Sequence, residues 1–130
     1  MILAAASRAY PRECCGLLVG GDTGDGWRVL AAHEAANLAN DPASHFLIDP
    51  QTQFDLLRGL RGSDRRIIGC FHSHPNGLPQ PSETDRASAF EDDFVWLIAA
   101  GARTDAMALH GFHFRETAGF APIALAEDAA

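Results

Sequence analysis

The chain has 130 residues, which suits one domain spanning residues 1–130 and leaves too few for two hydrophobic cores. Hydrophobic residues make up 47% of the chain and charged residues 21%, the proportions of a soluble globular protein. The formal net charge of −7 argues against anionic partners, and so excludes nucleic-acid phosphates and acidic membrane surfaces as expected ligands.

The three cysteines, Cys14, Cys15 and Cys70, point to a reducing compartment. Their odd number and the adjacent pair do not suit a disulfide framework, and the absence of a CxxC pair excludes a zinc ribbon. A nucleophilic cysteine is an alternative, but all three lie in apolar, strand-like runs, where thiols are mostly inert. No apolar run reaches the roughly 18 residues of a membrane-spanning helix, and a basic signal-peptide segment is missing. We therefore expect a cytoplasmic protein.

The first third of the chain predicts a helix followed by a β-hairpin. Residues 2–10 are rich in alanine and are followed by a proline, which indicates a short helix. The compact apolar run 15–19 predicts a buried strand, and the glycine-rich residues 20–26 predict a turn. A second strand is expected over about 27–33, paired with the first.

The middle of the chain predicts a polar loop, a short strand, a helix and a central strand. Residues 37–44 are polar and irregular, and residues 46–48 have the pattern of a short strand. A helix is expected over about 49–60, because its proline suits the first turn and apolar residues recur at helical spacing. Residues 66–71 are β-branched and apolar, which indicates a central strand.

The last third predicts one more helix and three more strands. After a loop over residues 76–81, a helix is expected over about 82–90. The expected strands are 94–100, 107–114 and 121–125, and residues 126–130 are expected to fray. Strands interleaved with two or three helices predict a mixed α/β (α+β) sandwich, with Trp27 and Trp96 in its core.

The stretch His72-Ser73-His74-Pro75 carries the candidate site. Histidines two residues apart point to the same side of an extended strand, so His72 and His74 can reach one metal ion. Ser73 faces the other way and has an architectural role. The following loop is rich in proline and glycine and can fold Asp85 back towards the histidines. Two histidines and an aspartate suit one Zn²⁺ ion and leave a fourth position for water, as in catalytic sites.

Simpler explanations exist for the same residues. Histidine pairs also occur without a metal, and Ser82 with Asp85 fits the start of a helix, with an acid at the third helical position. The two interpretations of Asp85 are compatible, because a helix cap can aim its carboxylate at the metal. The remaining histidines lack a partner motif and are not expected to bind metal: His33, His45, His110 and His113.

Together with the segment Pro11–Gly20, this pattern resembles the signature of the JAMM (MPN+ or JAB) zinc metalloproteases, short stand-alone prokaryotic type. The resemblance covers about residues 1–100 and includes P-x-E-x-C-G-x-L-x-G, then H-x-H, ten residues, and an aspartate with a serine three before it. The roles that it implies are zinc ligands for His72, His74 and Asp85, a catalytic general base for Glu13, and an oxyanion hydrogen-bond donor for Ser82. It also implies a curved, mostly antiparallel β-sheet flanked by helices.

The resemblance implies a zinc metallopeptidase or isopeptidase that hydrolyses the amide bond after a C-terminal Gly-Gly tail. The expected substrate is a ubiquitin-like or sulfur-carrier protein. The loop between His74 and Asp85 is minimal and contains no obvious feature to grip a second ubiquitin, so specificity for polyubiquitin is not expected. Two alternatives stay open, a non-catalytic MPN scaffold and a zinc hydrolase of small amide conjugates. A zinc deaminase is excluded, because its H-x-E and P-C-x-x-C motifs are absent. The sequence leaves homodimerisation open.

Overall fold

A six-stranded, curved and unclosed β-sheet organises the chain in the computed structural model, which describes residues 1–24, 26–89, 91–101 and 107–126. The strands are β1 (Cys15–Asp22), β2 (Trp27–Ala35), β3 (Arg66–His74), β4 (Phe94–Ala100), β5 (Ala108–Arg115) and β6 (Gly119–Ile123). Their order in the sheet is β2-β1-β3-β4-β5-β6, and every pair is antiparallel except β3 with β4. This arrangement confirms the predicted α+β fold class.

The three helices are α1 (Ile2–Ala9), α2 (Pro50–Gly59) and α3 (Glu83–Ser88). Helix α2 begins where proline predicted it, and the side chain of Asp49 accepts a hydrogen bond from the Gln51 backbone N–H. Helix α3 is shorter than predicted, and Phe90, its predicted end, lies outside the described residues. Within the described ranges, none of the helices is long and apolar enough to cross a membrane.

The first hairpin corrects the predicted turn over residues 20–26. Strand pairing continues through Gly20 and Gly21 as far as Asp22, so only the end of the glycine-rich segment forms the connection. At Gly20 an added Cβ would lie 1.9 Å from the carbonyl oxygen of Arg28. Gly20 therefore permits a close approach of two strands and does not form a turn. A glycine-rich composition alone does not distinguish these two roles.

Two other predicted strands also need correction. Residues 46–48 form no sheet strand, because they contact the polar loop through an isolated bridge between Asn37 and Ile48. The last strand runs from Gly119 to Ile123, two residues earlier than predicted, because Phe120 pairs with Phe114. Its proline is tolerated because β6 is an edge strand. The predicted fraying beyond residue 126 lies outside the described residues.

The two faces of the sheet carry different cores. One face packs against α1 and is formed by apolar side chains, among them Leu18, Phe71 and Leu97. The other face carries Trp96 and the partly buried Phe46, together with Leu17, Cys70, Ile98, Phe112 and Phe114. Trp96 is buried as predicted, whereas Trp27 is half-buried at the margin of the first face. We call these the helix-α1 face and the groove face.

Candidate metal centre

Strand β3 ends in the two histidines and delivers both to the groove face. The Nε2 atoms of His72 and His74 lie 2.9 Å apart, and each lies 3.0 Å from Oδ2 of Asp85. All three side chains are buried in the interior of the chain. The structure therefore brings the three predicted ligands together, and the described residues contain no second group of this kind.

Asp85 reaches the histidines because α3 begins with a capping box. The Ser82 hydroxyl accepts a hydrogen bond from the Asp85 backbone N–H at 3.0 Å, and Oδ2 of Asp85 accepts one from the Ser82 N–H at 2.9 Å. The helix-cap interpretation is confirmed, and it is compatible with the predicted metal ligand because the cap fixes the carboxylate beside the histidines.

The spacing of the three donor atoms fits a tetrahedral zinc ion with little adjustment. Zinc–nitrogen bonds of about 2.0–2.1 Å place tetrahedral ligand atoms about 3.3 Å apart. The observed separations of 2.9–3.0 Å need to widen by only a few tenths of an ångström. Nδ1 of His74 donates to the Leu78 carbonyl at 2.8 Å, which orients the ring so that its Nε2 faces the centre.

The ionisation of the three groups follows from their burial and mutual contacts. Burial lowers the pKa of His72. For His74 burial acts in the same direction, but hydrogen bonds to Asp85 and to the Leu78 carbonyl outweigh it and raise its pKa. Burial alone would raise the pKa of Asp85, yet hydrogen bonds from both histidines hold it far below its usual value. The centre therefore favours an ionised carboxylate.

Glu13 lies beside this cluster, immediately before β1, with its side chain buried. Its Oε1 has no hydrogen-bond partner among the described residues. Burial raises the pKa of Glu13 from 4.5 to about 8; His74 acts against this rise, and Asp85 and Asp41 add to it. A carboxyl group that exchanges protons near neutral pH is suited to general acid–base catalysis.

The backbone around Glu13 is fixed from several directions. Its N–H donates to the Pro42 carbonyl at 2.7 Å, and its carbonyl accepts from Nδ2 of Asn37 at 3.0 Å. The next residue, Cys14, donates its N–H to the Ser73 hydroxyl at 2.8 Å and accepts from the Ser73 N–H at 3.1 Å. Ser73 thus joins the glutamate segment to the strand of the histidines, in agreement with its predicted architectural role.

Two residues of the site, Asn37 and Phe46, belong to segments that also match the resembled family, but the sequence assigned them no role. Asn37 donates to the carbonyls of Glu13 and His45 and accepts from the backbone N–H groups of Ala39 and Leu47, so it fixes the loop over the site. Phe46 stacks on His72. Asn37 lies in a polar segment, and this could have indicated a residue that fixes a loop. Phe46 precedes a helix, where an aromatic residue is typical of any core and indicates no particular role.

The cysteines have the properties of structural residues. All three are free and buried. Burial raises the pKa of each thiol, that of Cys15 to about 12 and that of Cys70 well above its ordinary value. Thiols of this kind do not supply the thiolate that a nucleophile needs at neutral pH, so the cysteine alternative loses its support.

The other histidines do not join the cluster. His113 contacts Asp93 at 2.7 Å and packs against the ring of Trp27, far along β5 from the centre. His45 contacts the Ser44 hydroxyl in the polar loop. Within the described ranges, the one potential metal-binding group contains neither of these residues, nor His33, nor His110.

An apolar groove of about 530 Å³ adjoins the centre on the groove face. Phe46 and Trp96 line it and also contact the His72 ring, so groove and centre share a wall. Leu47 and Leu57 form its outer rim and are about half exposed. An exposed apolar surface next to reactive groups is typical of a binding site.

Comparison with known proteins shows the same fold and sequence pattern elsewhere. Residues 1–111 match the family described as "Prokaryotic homologs of the JAB domain". Desampylase of Haloferax volcanii is 36% identical over 107 residues, which cover 82% of this chain and 76% of that protein. CysO-cysteine peptidase of Mycobacterium tuberculosis is 27% identical over 99 residues, 76% of this chain and 66% of that protein. A solution structure from Desulfitobacterium hafniense has a TM-score of 0.79 at 32% identity, covering 94% of this chain and 82% of that one.

Proposed function

Since the chain belongs to the family of prokaryotic homologs of the JAB domain, and is a hydrolase of that family, we propose that it is a zinc-dependent peptidase or isopeptidase. Its substrate is a ubiquitin-like or sulfur-carrier protein, and the bond that it hydrolyses follows the C-terminal Gly-Gly tail. The observation that carries this proposal is the convergence of His72, His74 and Asp85 beside Glu13, whose buried Oε1 has no hydrogen-bond partner among the described residues. Residues 1–130 form the catalytic domain.

His72, His74 and Asp85 would hold the zinc ion, and a bound zinc would supply Lewis acidity and lower the pKa of a coordinated water. Glu13 accepts a proton from the attacking water and returns it to the departing amine. The elevated pKa of Glu13 suits both transfers near neutral pH. In this scheme Glu13 remains outside the ligand set.

Ser82 donates a hydrogen bond to the oxygen that becomes negative during attack. Its oxygen lone pair already accepts from the Asp85 N–H, which leaves the hydroxyl proton free for a substrate. A single donor of this kind typically contributes about 100-fold or more in rate. Capping and oxyanion stabilisation are therefore compatible functions of one hydroxyl group.

The body of the substrate covers the apolar groove, and its flexible tail reaches the centre past Phe46. An edge of the sheet is not where we place the tail. The edges are β2 and β6, whereas the histidines end a strand in the middle of the sheet. The groove has the apolar character that a folded partner buries, and it continues directly into the catalytic residues.

Elemental analysis combined with a cleavage assay tests the proposal. We expect about one zinc per chain in the wild type, loss of zinc in His74→Ala, and retained zinc without cleavage in Glu13→Ala. The substrate is a fusion joined through a Gly-Gly tail, and a matched fusion with two leucines in place of the glycines is the control.

The outcomes separate the functions considered above. If the wild type binds no zinc after expression in zinc-supplemented medium, the result contradicts the proposed zinc-dependent peptidase and favours the non-catalytic scaffold. If the protein binds zinc and hydrolyses small amides but does not cleave the Gly-Gly fusion, the zinc site stands and only the proposed protein substrate is contradicted. Equal cleavage of the two fusions contradicts a specific requirement for glycine.

A further inference from the structure

The two histidines of the centre are oriented in different ways. Nδ1 of His74 donates to the Leu78 carbonyl at 2.8 Å, the usual arrangement for a metal-binding imidazole. Nδ1 of His72 is buried and has no hydrogen-bond partner among the described residues. The polar contacts of the His72 ring are therefore confined to its Nε2 edge, which lies 3.0 Å from Oδ2 of Asp85, and its Nδ1 edge needs another kind of restraint.

Aromatic rings provide that restraint. The Phe46 ring lies 4.3 Å from the His72 ring, centroid to centroid, with an interplanar angle of 21°, so the two rings are stacked. Trp96 contacts the same imidazole edgewise at 5.6 Å and also packs against Phe46 at 6.0 Å. Phe46 is itself held by its neighbour Leu47, whose N–H donates to the side chain of Asn37.

We propose that Phe46 is a positioning residue for the metal centre, holding the His72 ring in its ligating orientation by stacking, in place of the hydrogen bond that His74 has. The inference rests on the proposed zinc site and adds a residue to it. Phe46 touches neither the metal nor the attacking water; it acts through His72.

The chemistry of an imidazole ligand explains why stacking is needed. His72 must present the Nε2 lone pair to a metal, so its proton resides on Nδ1. A buried N–H without an acceptor does not select a ring orientation, and rotation about χ2 is soft for an imidazole. Packing on the face of the ring restricts that rotation. Its removal leaves a ligand that must be ordered on binding, which weakens the metal complex.

Zinc affinity, measured by competition with a chromogenic chelator, tests the inference in four proteins. They are the wild type, Phe46→Leu, Phe46→Tyr and Phe120→Leu. Leucine keeps the apolar bulk without a ring face, and tyrosine restores the ring face. Phe120 is the matched control, because it packs edgewise on Trp96 at 5.0 Å in the same core but has no ring contact with His72. Unfolding of the metal-free proteins measures the loss of stability of each variant separately.

We expect Phe46→Leu to bind zinc about 10- to 100-fold more weakly, the range for contacts that orient metal ligands. Phe46→Tyr should stay within about threefold of the wild type, as should Phe120→Leu even where its stability falls. Equal affinity of Phe46→Leu and the wild type overturns the inference and leaves the metal site intact. Equal loss in Phe46→Leu and Phe46→Tyr, or in Phe46→Leu and Phe120→Leu, also overturns it. A wild type without zinc affinity refutes the metal site itself.

Discussion

The helix-α1 face and the groove face of one sheet are built from opposite kinds of contact. On the helix-α1 face, Ala5, Ala6, Leu18 and Phe71 are completely buried and apolar. On the groove face, buried imidazoles and carboxyls share the surface with an open apolar groove. One face holds the fold together, and the other contains the buried polar groups of the candidate centre, which cost stability.

The separation follows from strand alternation. Neighbouring residues of β3, Phe71 and His72, point to opposite faces, so one strand contributes both to the core and to the metal centre. Gly16 of β1 lies across from Phe71, and an added Cβ there would meet that ring at 2.3 Å. A substitution can therefore damage one face while leaving the other nearly unchanged, and four experiments test this separation.

The largest effect is expected from Phe71→Ala on the helix-α1 face. Truncation of a fully buried phenylalanine leaves a cavity and should lower the free energy of unfolding by about 3–5 kcal/mol. Denaturant unfolding measures this loss. The control is Phe120→Ala, on the half-buried margin of the groove face, which should cost less. Equal losses in the two variants would contradict the assignment of stability mainly to one face.

Ser82→Gly should lower the rate of cleavage by about 100-fold with little change in stability. Glycine at a helix N-cap costs only a few tenths of a kcal/mol relative to serine, whereas the oxyanion donor is lost completely. Ser63→Gly is the matched control, since the Ser63 hydroxyl also accepts a backbone N–H but lies outside the centre. Unchanged kcat in Ser82→Gly would restrict this serine to capping.

Glu13 makes the groove face sensitive to pH in the metal-free protein. The folded state keeps a proton on Glu13 up to about pH 8, while the unfolded chain releases it near pH 4.5. The corresponding stabilisation is therefore complete below about pH 4.5 and is lost as pH rises through 8. One pKa unit corresponds to about 1.4 kcal/mol, and partial hydration reduces the full effect, so we expect a loss of about 2 kcal/mol.

Glu13→Gln should remove this dependence and be more stable than the wild type at pH 9. Thermal unfolding from pH 5 to 9, with a chelator present, measures the comparison. The neighbouring groups His74, Asp85 and Asp41 are present in both proteins, so their titration contributes to both curves. Parallel curves of stability against pH for the two proteins would show that Glu13 does not cause the pH dependence.

The smallest effect is expected at the groove rim. Leu57→Arg should raise the KM for a tailed protein substrate about tenfold, because an apolar contact with the folded partner is replaced by a charge. Leu30→Arg changes an equally exposed leucine outside the groove and is the control. A short peptide whose C-terminal Gly-Gly is joined through an amide bond to an amine leaving group should be cleaved equally by all three proteins. A raised KM for the peptide as well would place Leu57 in tail binding instead.

The sequence predicted those features that depend on local pattern. Period-two spacing in His72-Ser73-His74 predicted which side chains share a face, and Ser82 with Asp85 predicted the start of α3. Contacts between segments that are distant in the chain could not be predicted from the sequence pattern. Asn37 and Phe46 acquire their roles only when the loop folds over β3, and the glycines of β1 are needed only because neighbouring strands pass close by.

A single oxygen atom belongs both to a helix and to the centre. Oδ2 of Asp85 accepts the Ser82 N–H that starts α3 and also contacts both imidazoles. Occupancy of the centre and fraying of α3 are therefore thermodynamically linked, and each must shift the equilibrium of the other. Hydrogen exchange at the backbone amides of Ser82 and Asp85 consequently reports on the centre without any substrate. Because a helix of six residues is too short to persist alone, its protection from hydrogen exchange depends on the contacts that its first turn makes in the centre.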